Sequence, residues 1–593
     1  MLLHTPEARL VKLLGQCYRS PGCLSARRGE RLYTTRALAI AASPPRRRAG
    51  HGHSKRSGSA RSLTTTTATK PEHIAVLGGG ITGLAAAAMA ARLNPDSKVT
   101  LYESSDRLGG YVHSEVVQSS DGPVVFELGP RSLRPTTTRG YYALSLAQNV
   151  RLEEQMLFTA KNSPAGSNRF IYYPDRLVRL PHPSDGWLRA GWTLLREPIF
   201  EGVPWALWGE HNVPRRPDSL VDESIGDFLK RRCGGNKTLV DNIVSAVIHG
   251  IFAGDVNQLS VRSLMPRAWE GEGEHGSITV AMGRAKPEMY GPNNTTSLHV
   301  AGAAMLGEEL STKAREAGLY TFKNGMQMLP DALAGVVKGA KNADIKLSTS
   351  VSGISRSKDG QTIQIKTSSN QPAQSYSHVI STLPAHRLSH LVDIPALSLI
   401  PYTTVMVVNL YYTNPNLVPE PGFGYLIPQS VPFSQNPEFA LGVVYDSHAT
   451  PEVDGSTGTR LTVMIGGHYW DGRSADELPT PEEGQHLAER VLARHLKITD
   501  KPDRALATLH KSCIPQYTVG HRERLQSVDA GIRRLFGGRL SVGGAWVDGV
   551  GVNDCISSGQ FQGISVGKGY TGLEPALENR ETLRTMVPPG FLV

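Results

Sequence analysis

Hydrophobic and polar positions fall along this chain in blocks that predict their own elements. The apolar run "IAVL", Ile74 to Leu77, reads as a buried strand. A glycine-rich turn follows, then "LAAAAMAARL", a strong helix former, and then "KVTLYE", a second strand. Strand, turn, helix and strand in that order predict the opening of a parallel α/β sheet. Residues 160–285 read as mostly helical, whereas runs such as "TTVMVVNLYY" and "RLTVMIGG" between 390 and 505 predict a second sheet, the roof of a substrate site. "PEEGQHLAERVLARHL" reads as a helix covering that sheet. Far downstream, "LSVGGAWVDGVGVNDCISSGQFQGISV" predicts a strand, a Gly543-Gly544 loop and an amphipathic helix. No internal repeat is visible.

Length and composition narrow this picture. A chain of 593 residues can bury two to four cores. It has no run of eighteen apolar residues, so no transmembrane helix is expected. Cys17, Cys23, Cys233, Cys513 and Cys555 stand singly, with neither redox nor metal-ligand spacing, so no disulfide framework and no metal site are expected. Residues 1–70 hold fourteen Lys/Arg against only Glu7 and Glu30; the net charge of +10 therefore belongs to this leader, and the rest of the chain is near −2. Nothing here calls for nucleic acid. In the leader, Leu10, Leu13, Leu14 and Cys17 keep helical spacing, Arg9, Lys12 and Arg19 lie off that stripe, and a Ser/Arg-rich stretch follows. That composition predicts a mitochondrial presequence.

The chemistry begins at the first turn. Gly78, Gly80 and Gly83 form G-x-G-x-x-G between strand and helix, and Glu103 closes the second strand twenty-three residues after Gly80. Small residues let the backbone approach a pyrophosphate, the helix N-terminus supplies N–H groups, and the acid can accept from ribose hydroxyls. A dinucleotide is predicted. "SSDRLGG" follows at once and resembles the second fingerprint of flavoproteins with two dinucleotide-binding domains, and "FELGPRSLRP" extends the likeness. Binding elements at both ends of the mature chain imply a discontinuous FAD domain.

"VLGGGITGLAAA", "FELGPRSLRP", "NRFIYY", "GIFAGDVNQLSVRS", "GFGYLIP", "HKSCIPQYTVGH" and "GVGVNDCI", in order between residues 73 and 567, resemble the protoporphyrinogen oxidase family. The resemblance implies noncovalent FAD, one per chain, contacted by Gly78, Gly79, Gly80, Ile81, Thr82, Gly83, Glu103, Ser104, Tyr111, Gly129, Pro130, Arg131, Ser132, Val351, Ala545, Val550, Gly551 and Val552. It implies oxygen-dependent, six-electron oxidation of protoporphyrinogen IX to protoporphyrin IX, with hydride passing to flavin N5, O2 reoxidising the flavin and three H2O2 formed. No catalytic side chain is implied. Substrate-positioning roles fall to Arg169 opposite a propionate, to Phe423, Leu426 and Met464 against pyrrole rings, and to the Gly250 carbonyl beside the reacting carbon. His249 is open to two readings, a base or a polar lining residue, because some family members carry Arg there.

The resemblance sets the fold class as a discontinuous Rossmann-type FAD domain, a β-sheet substrate domain and a helical membrane-associating domain. The boundaries are a presequence 1–70, FAD parts 71–158, 286–388 (with a loop insertion at 282–302) and 506–580, the helical domain 159–285, the substrate sheet 389–505 and a tail 581–593. Trp187, Trp192, Trp205 and Trp208 interleave with Arg176, Arg179, Arg189 and Arg196, which suits peripheral contact with a bilayer. The expected place is the mitochondrial inner membrane, facing the intermembrane space. A homodimer and hand-off of product to the next haem-pathway enzyme are left open. Two rival classes stand beside this reading. One is a related amine oxidase or desaturase; the other is a non-catalytic binder like the GDP-dissociation inhibitors, which share the fold.

Overall fold

Ile74 and Val76 enter one hydrophobic core while Ala75 and Leu77 enter another, so the first strand is covered on both faces. This is the computed structural model of the chain, describing residues 72–284, 305–368 and 371–577. The leader, the tail 581–593 and residues 285–302 of the predicted insertion lie outside the described residues.

Two sheets organise the chain. In chain order their strands are β1 (His73–Leu77), β2 (Lys98–Tyr102), β3 (Phe170–Tyr172), β4 (Leu177–Arg179), β5 (Ala343–Lys346) and β6 (His378–Ser381). They continue with β7 (Tyr402–Tyr412), β8 (Gly424–Leu426), β9 (Ala440–Tyr445), β10 (Thr459–Gly466), β11 (Arg504–Pro515) and β12 (Leu540–Val542). The first sheet is five-stranded and parallel, in the order β12-β6-β1-β2-β5. Helix α1 (Ile81–Leu93) leaves β1 and packs on it, its alanines buried in the same core as Ile74 and Val76. The second sheet is seven-stranded, in the order β11-β7-β10-β9-β8-β3-β4, antiparallel except where β3 meets β8.

Alternation decides what each face of the second sheet does. Met406, Val408, Leu410, Tyr425, Val463 and Ile465 lie on one face, packed with Val491, Leu492 and Leu496 of the expected covering helix Pro481–Leu496. Val405, Val407 and Met464 lie on the other. That second face is the wall of the site described below.

Two expectations about segment type need correction. The stretch 160–285 is mostly helical only from Gly186 onward; before it stand a single helical turn, Pro164–Ser167, and "FIY" and "LVR", which are β3 and β4 of the seven-stranded sheet. The aromatic and β-branched side chains there fit a pleated surface better than a helix. Strand β11 also belongs to this sheet, pairing along β7, although it was grouped with the last FAD segment from residue 506.

The helical region holds α2 (Gly186–Arg196), α3 (Val203–Gly209) and α4 (Ser245–Phe252), the last entered through a π-helical turn, Leu239–Val244. Its interior is partly ionic. Arg232 is fully buried, with Nε donating to Glu210 at 2.7 Å; Glu210 also accepts from the Ile278 and Thr279 amides. Glu272, equally buried, takes Arg231 at 2.9 Å. Among the described residues no helix is long and apolar enough to cross a membrane.

Candidate active site

The glycine turn is shaped by close approach. A Cβ on Gly83 would stand 1.8 Å from the Gly78 carbonyl oxygen, and Gly78 itself has φ +102°. Only glycine lets the first turn of α1 sit against the loop. Gly80 bridges to Gly109 of "DRLGG", and a Cβ on Gly110 would meet the Gly80 Cα at 3.1 Å. Glu103 accepts the Gly79 amide at 2.7 Å on one oxygen and the Ser105 amide at 2.8 Å on the other. Oε1 also accepts Ser105 Oγ at 2.9 Å and Ser104 Oγ at 3.2 Å, so the capacity left for a ribose hydroxyl is on Oε2. The Thr349 amide donates to the Glu103 carbonyl, which brings the strand beginning at Val351 alongside.

A second helix reaches the same region. Helix α6 is taken here as Val552–Ser565, α5 being the covering helix Pro481–Leu496. Gly559 and Gly563 of α6 lie against Thr82 and Ala86 of α1, so the two helices run parallel. At 1.5 Å per residue, the N-terminus of α6 projects about 9 Å beyond that of α1. Both N-termini, with their partial positive charge, therefore serve one elongated site. Gly551 caps α6, with Ala545 and Val550 just before it.

The "FELGPRS" segment joins the halves. A Cβ on Gly129 would stand 2.0 Å from the Tyr111 carbonyl, so the two loops touch backbone to backbone, with Pro130 and Ser132 half-buried beside them. Tyr111 is 43% exposed and meets His510 edge-on, at 5.6 Å between ring centroids. Arg131 is buried and pairs with Asp446 at 2.8 Å, which ties the FAD loop to the end of β9. Its Nη2 is left buried without a hydrogen-bond partner.

Two of the expected substrate residues, Leu426 and Met464, come together on the second face of the seven-stranded sheet. Leu426, Gly442, Met464 and Val407 stand in one cross-strand row over β8, β9, β10 and β7. Leu426 fills the space of two missing side chains: a Cβ on Gly250 would meet it at 2.8 Å, and one on Gly442 at 3.1 Å. Arg169 precedes β3 and stacks over Phe423, 4.4 Å from the ring centroid; its Nη1 donates to the Ala165 carbonyl at 2.6 Å. The Phe423 amide donates to the Asn168 carbonyl at 3.2 Å, and this backbone link makes the stack possible.

His249 is 2% exposed, and burial holds its imidazole down at about 3, so it is neutral. Nδ1 lies 2.6 Å from the Ile427 carbonyl and must carry the proton. Nε2 lies 2.9 Å from His468 Nε2, which also meets the Gln429 amide nitrogen at 3.2 Å. Burial and the Ile427 bond hold this imidazole as a neutral lining residue. It links the residue before Gly250 to the residue after Leu426.

Residues 81–561 match the family described as flavin containing amine oxidoreductase. The protoporphyrinogen oxidase of Schizosaccharomyces pombe is 36% identical over 82% of this chain and 96% of its own length. The chain belongs to the protoporphyrinogen oxidase family. It is an FAD oxidoreductase. The human member is 35% identical, covering 85% of this chain and 99% of its own. A solved structure from Exiguobacterium sp. 255-15 superposes with TM-score 0.65 at 22% identity, over 84% of this chain and 99% of that one, a likeness of fold.

The residues fit the flavin dinucleotide of this family. The glycine cradle, the twin helix N-termini and the unpartnered Arg131 Nη2 supply small contacts, N–H donors and positive charge. Asp446, Gly442, His468, Gln516 and Tyr517 were not singled out from sequence. Only Gln516 and Tyr517 left a trace, in "CIPQYTVGH", and nothing in that string says which neighbours they hold.

Proposed function

We propose that this chain oxidises protoporphyrinogen IX to protoporphyrin IX, with one noncovalent FAD and O2 as acceptor. The observation that carries the reading is the row of Leu426 and Met464 beside Gly250, with the Arg169–Phe423 stack formed by residues just before β3 and β8. An apolar wall with one guanidinium at its end suits a large apolar macrocycle bearing carboxylates. When bound, FAD supplies the hydride acceptor and passes electrons to O2.

The chain's own residues position and exclude. Leu426 and Met464 keep water from the macrocycle, Phe423 lies flat under the guanidinium, and Arg169 holds a propionate. Gly250, lacking a side chain, brings the helix backbone up to the wall. His249 fixes that approach through Ile427.

A second reading concerns the surface. Trp187, Trp192 and Trp205 are 78%, 64% and 69% exposed, with Leu188 and Leu195 beside them on α2. Arg189 and Arg196 are exposed on the same helix, whereas Arg179 is committed to Asp185. Indole rings with guanidinium groups support a peripheral seat in a bilayer interface. The basic leader supports mitochondrial import, and the seat is then the inner membrane on its intermembrane-space side.

The test is steady-state kinetics of Arg169→Ala with flavin content checked by absorbance. Losing a charge-assisted hydrogen bond should raise KM about ten- to a hundredfold with FAD content unchanged. Arg169→Lys should recover only part, because a point charge lacks the forked contact. Unchanged KM and kcat in fully flavinylated Arg169→Ala would sink the assignment.

A further inference from the structure

Two consecutive residues of "CIPQYTVGH" reach in different directions. Gln516 is 5% exposed. Its Nε2 donates to the Phe252 carbonyl at 2.8 Å, at the end of α4, and contacts Thr403 Oγ1 at 3.2 Å and the Ile514 carbonyl at 3.1 Å. Its Oε1 lies where a Cβ on Gly254 would stand, only 2.1 Å away, so glycine at 254 is what admits the amide. The amide therefore ties the helix that carries Gly250 to the end of β11.

Tyr517 reaches the other way. Its hydroxyl donates to the Ala545 carbonyl at 2.5 Å and accepts the Gly549 amide at 2.7 Å, closing the loop that leads into α6. The ring is held by His521, stacked at 4.1 Å and 10°. The backbone between them is pinned as well: the Gln516 amide donates to Pro401, and the Ser260 amide donates to the Tyr517 carbonyl.

We propose that Gln516 and Tyr517 are positioning residues, one for the substrate-facing helix and the other for the flavin-facing loop, and that their adjacency in the chain sets the gap between substrate and cofactor. Neighbouring residues of an extended strand point to opposite sides. The pinned segment that continues β11 past Pro515 can thus hold both without a flexible link. Near-attack geometry is sensitive to small displacements, so such a spacer acts on the rate, and kcat of the FAD-saturated enzyme should fall about tenfold in both variants below; a parental kcat in both would overturn the spacer role. The inference rests on the flavin reading of the site, and its Tyr517 arm needs no turnover of porphyrinogen.

The experiment uses the full chain with FAD. Tyr517→Phe removes only the hydroxyl and keeps the stack with His521. The Kd for FAD should rise about tenfold on losing these two bonds, the visible flavin band should shift, and KM for protoporphyrinogen should stay as it is. Gln516→Met should do the reverse, raising KM about tenfold with the FAD Kd and flavin spectrum of the parent. Should Gln516→Met be insoluble, Gln516→Asn, one methylene too short to reach Phe252, replaces it with the same expectation. Wild-type FAD affinity and spectrum in Tyr517→Phe would overturn the proposal. So would Gln516 variants that shift FAD binding and KM together, the mark of general loosening. A chain that binds FAD as described yet oxidises no porphyrinogen would overturn the proposed substrate and leave the Tyr517 assignment supported.

Discussion

The parallel sheet and the helical region are both rich in apolar residues, and they use them in opposite ways. Around β1 and α1 every apolar side chain from Ile74 to Leu77 is inside, and the alanines of the helix are buried against them. In α2 and α3 the largest apolar side chains, four tryptophans among them, face outward, while Arg232, Glu210 and Glu272 are buried beneath. The difference separates two purposes. A region that must hold a cofactor rigidly is closed on both faces. A region with its indoles outside and its charges inside draws its internal contacts from a buried ionic network instead.

The strongest blow to the comparison is aimed at the closed region. Gly83→Leu places a side chain where even a Cβ meets the Gly78 oxygen at 1.8 Å. We expect colourless or insoluble protein, read from soluble yield and flavin absorbance; a soluble variant with one FAD per chain would show that the cradle tolerates what its geometry forbids.

Next in size is the buried network. Arg232→Met leaves Glu210 charged and short of its main partner, which should cost about 3–5 kcal/mol in denaturant unfolding. The double change Arg232→Met with Glu210→Gln should recover part of that, because the orphaned charge is gone. A single-variant loss under about 1 kcal/mol, the scale of a surface pair, would mean that this region is not held by its ions.

The smallest effect on stability should come from the outward indoles. Replacing Trp187, Trp192 and Trp205 together by Ser should leave Tm unchanged and lower affinity for anionic lipid vesicles about a hundredfold. Vesicle sedimentation equal to that of the parent would assign the exposed face to another partner.

Local pattern carried the reading furthest where function needs particular residue types at fixed spacing. Gly78, Gly80, Gly83 and Glu103 were legible because a backbone cradle admits few alternatives. Arg169, Phe423, Leu426, Gly250 and Met464 were legible only through family resemblance; as single residues they look like a surface arginine and ordinary core. Strands β3 and β4 were misread as part of a helical stretch, since three-residue strands carry too few positions to show a period.

The sequence by itself determined the glycine turn between β1 and α1, the β-rich runs that became β7 and β10 with their covering helix, and the charge confined to the leader. Each is a property of neighbours along the chain. Tertiary structure alone decided that Leu426 fills the space left by Gly250 and Gly442, that His249 meets Ile427 and His468, and that Gln516 and Tyr517 face two walls. These are contacts between residues as much as 264 positions apart. No local preference encodes them, because they exist only once two sheets and a helical layer have packed together.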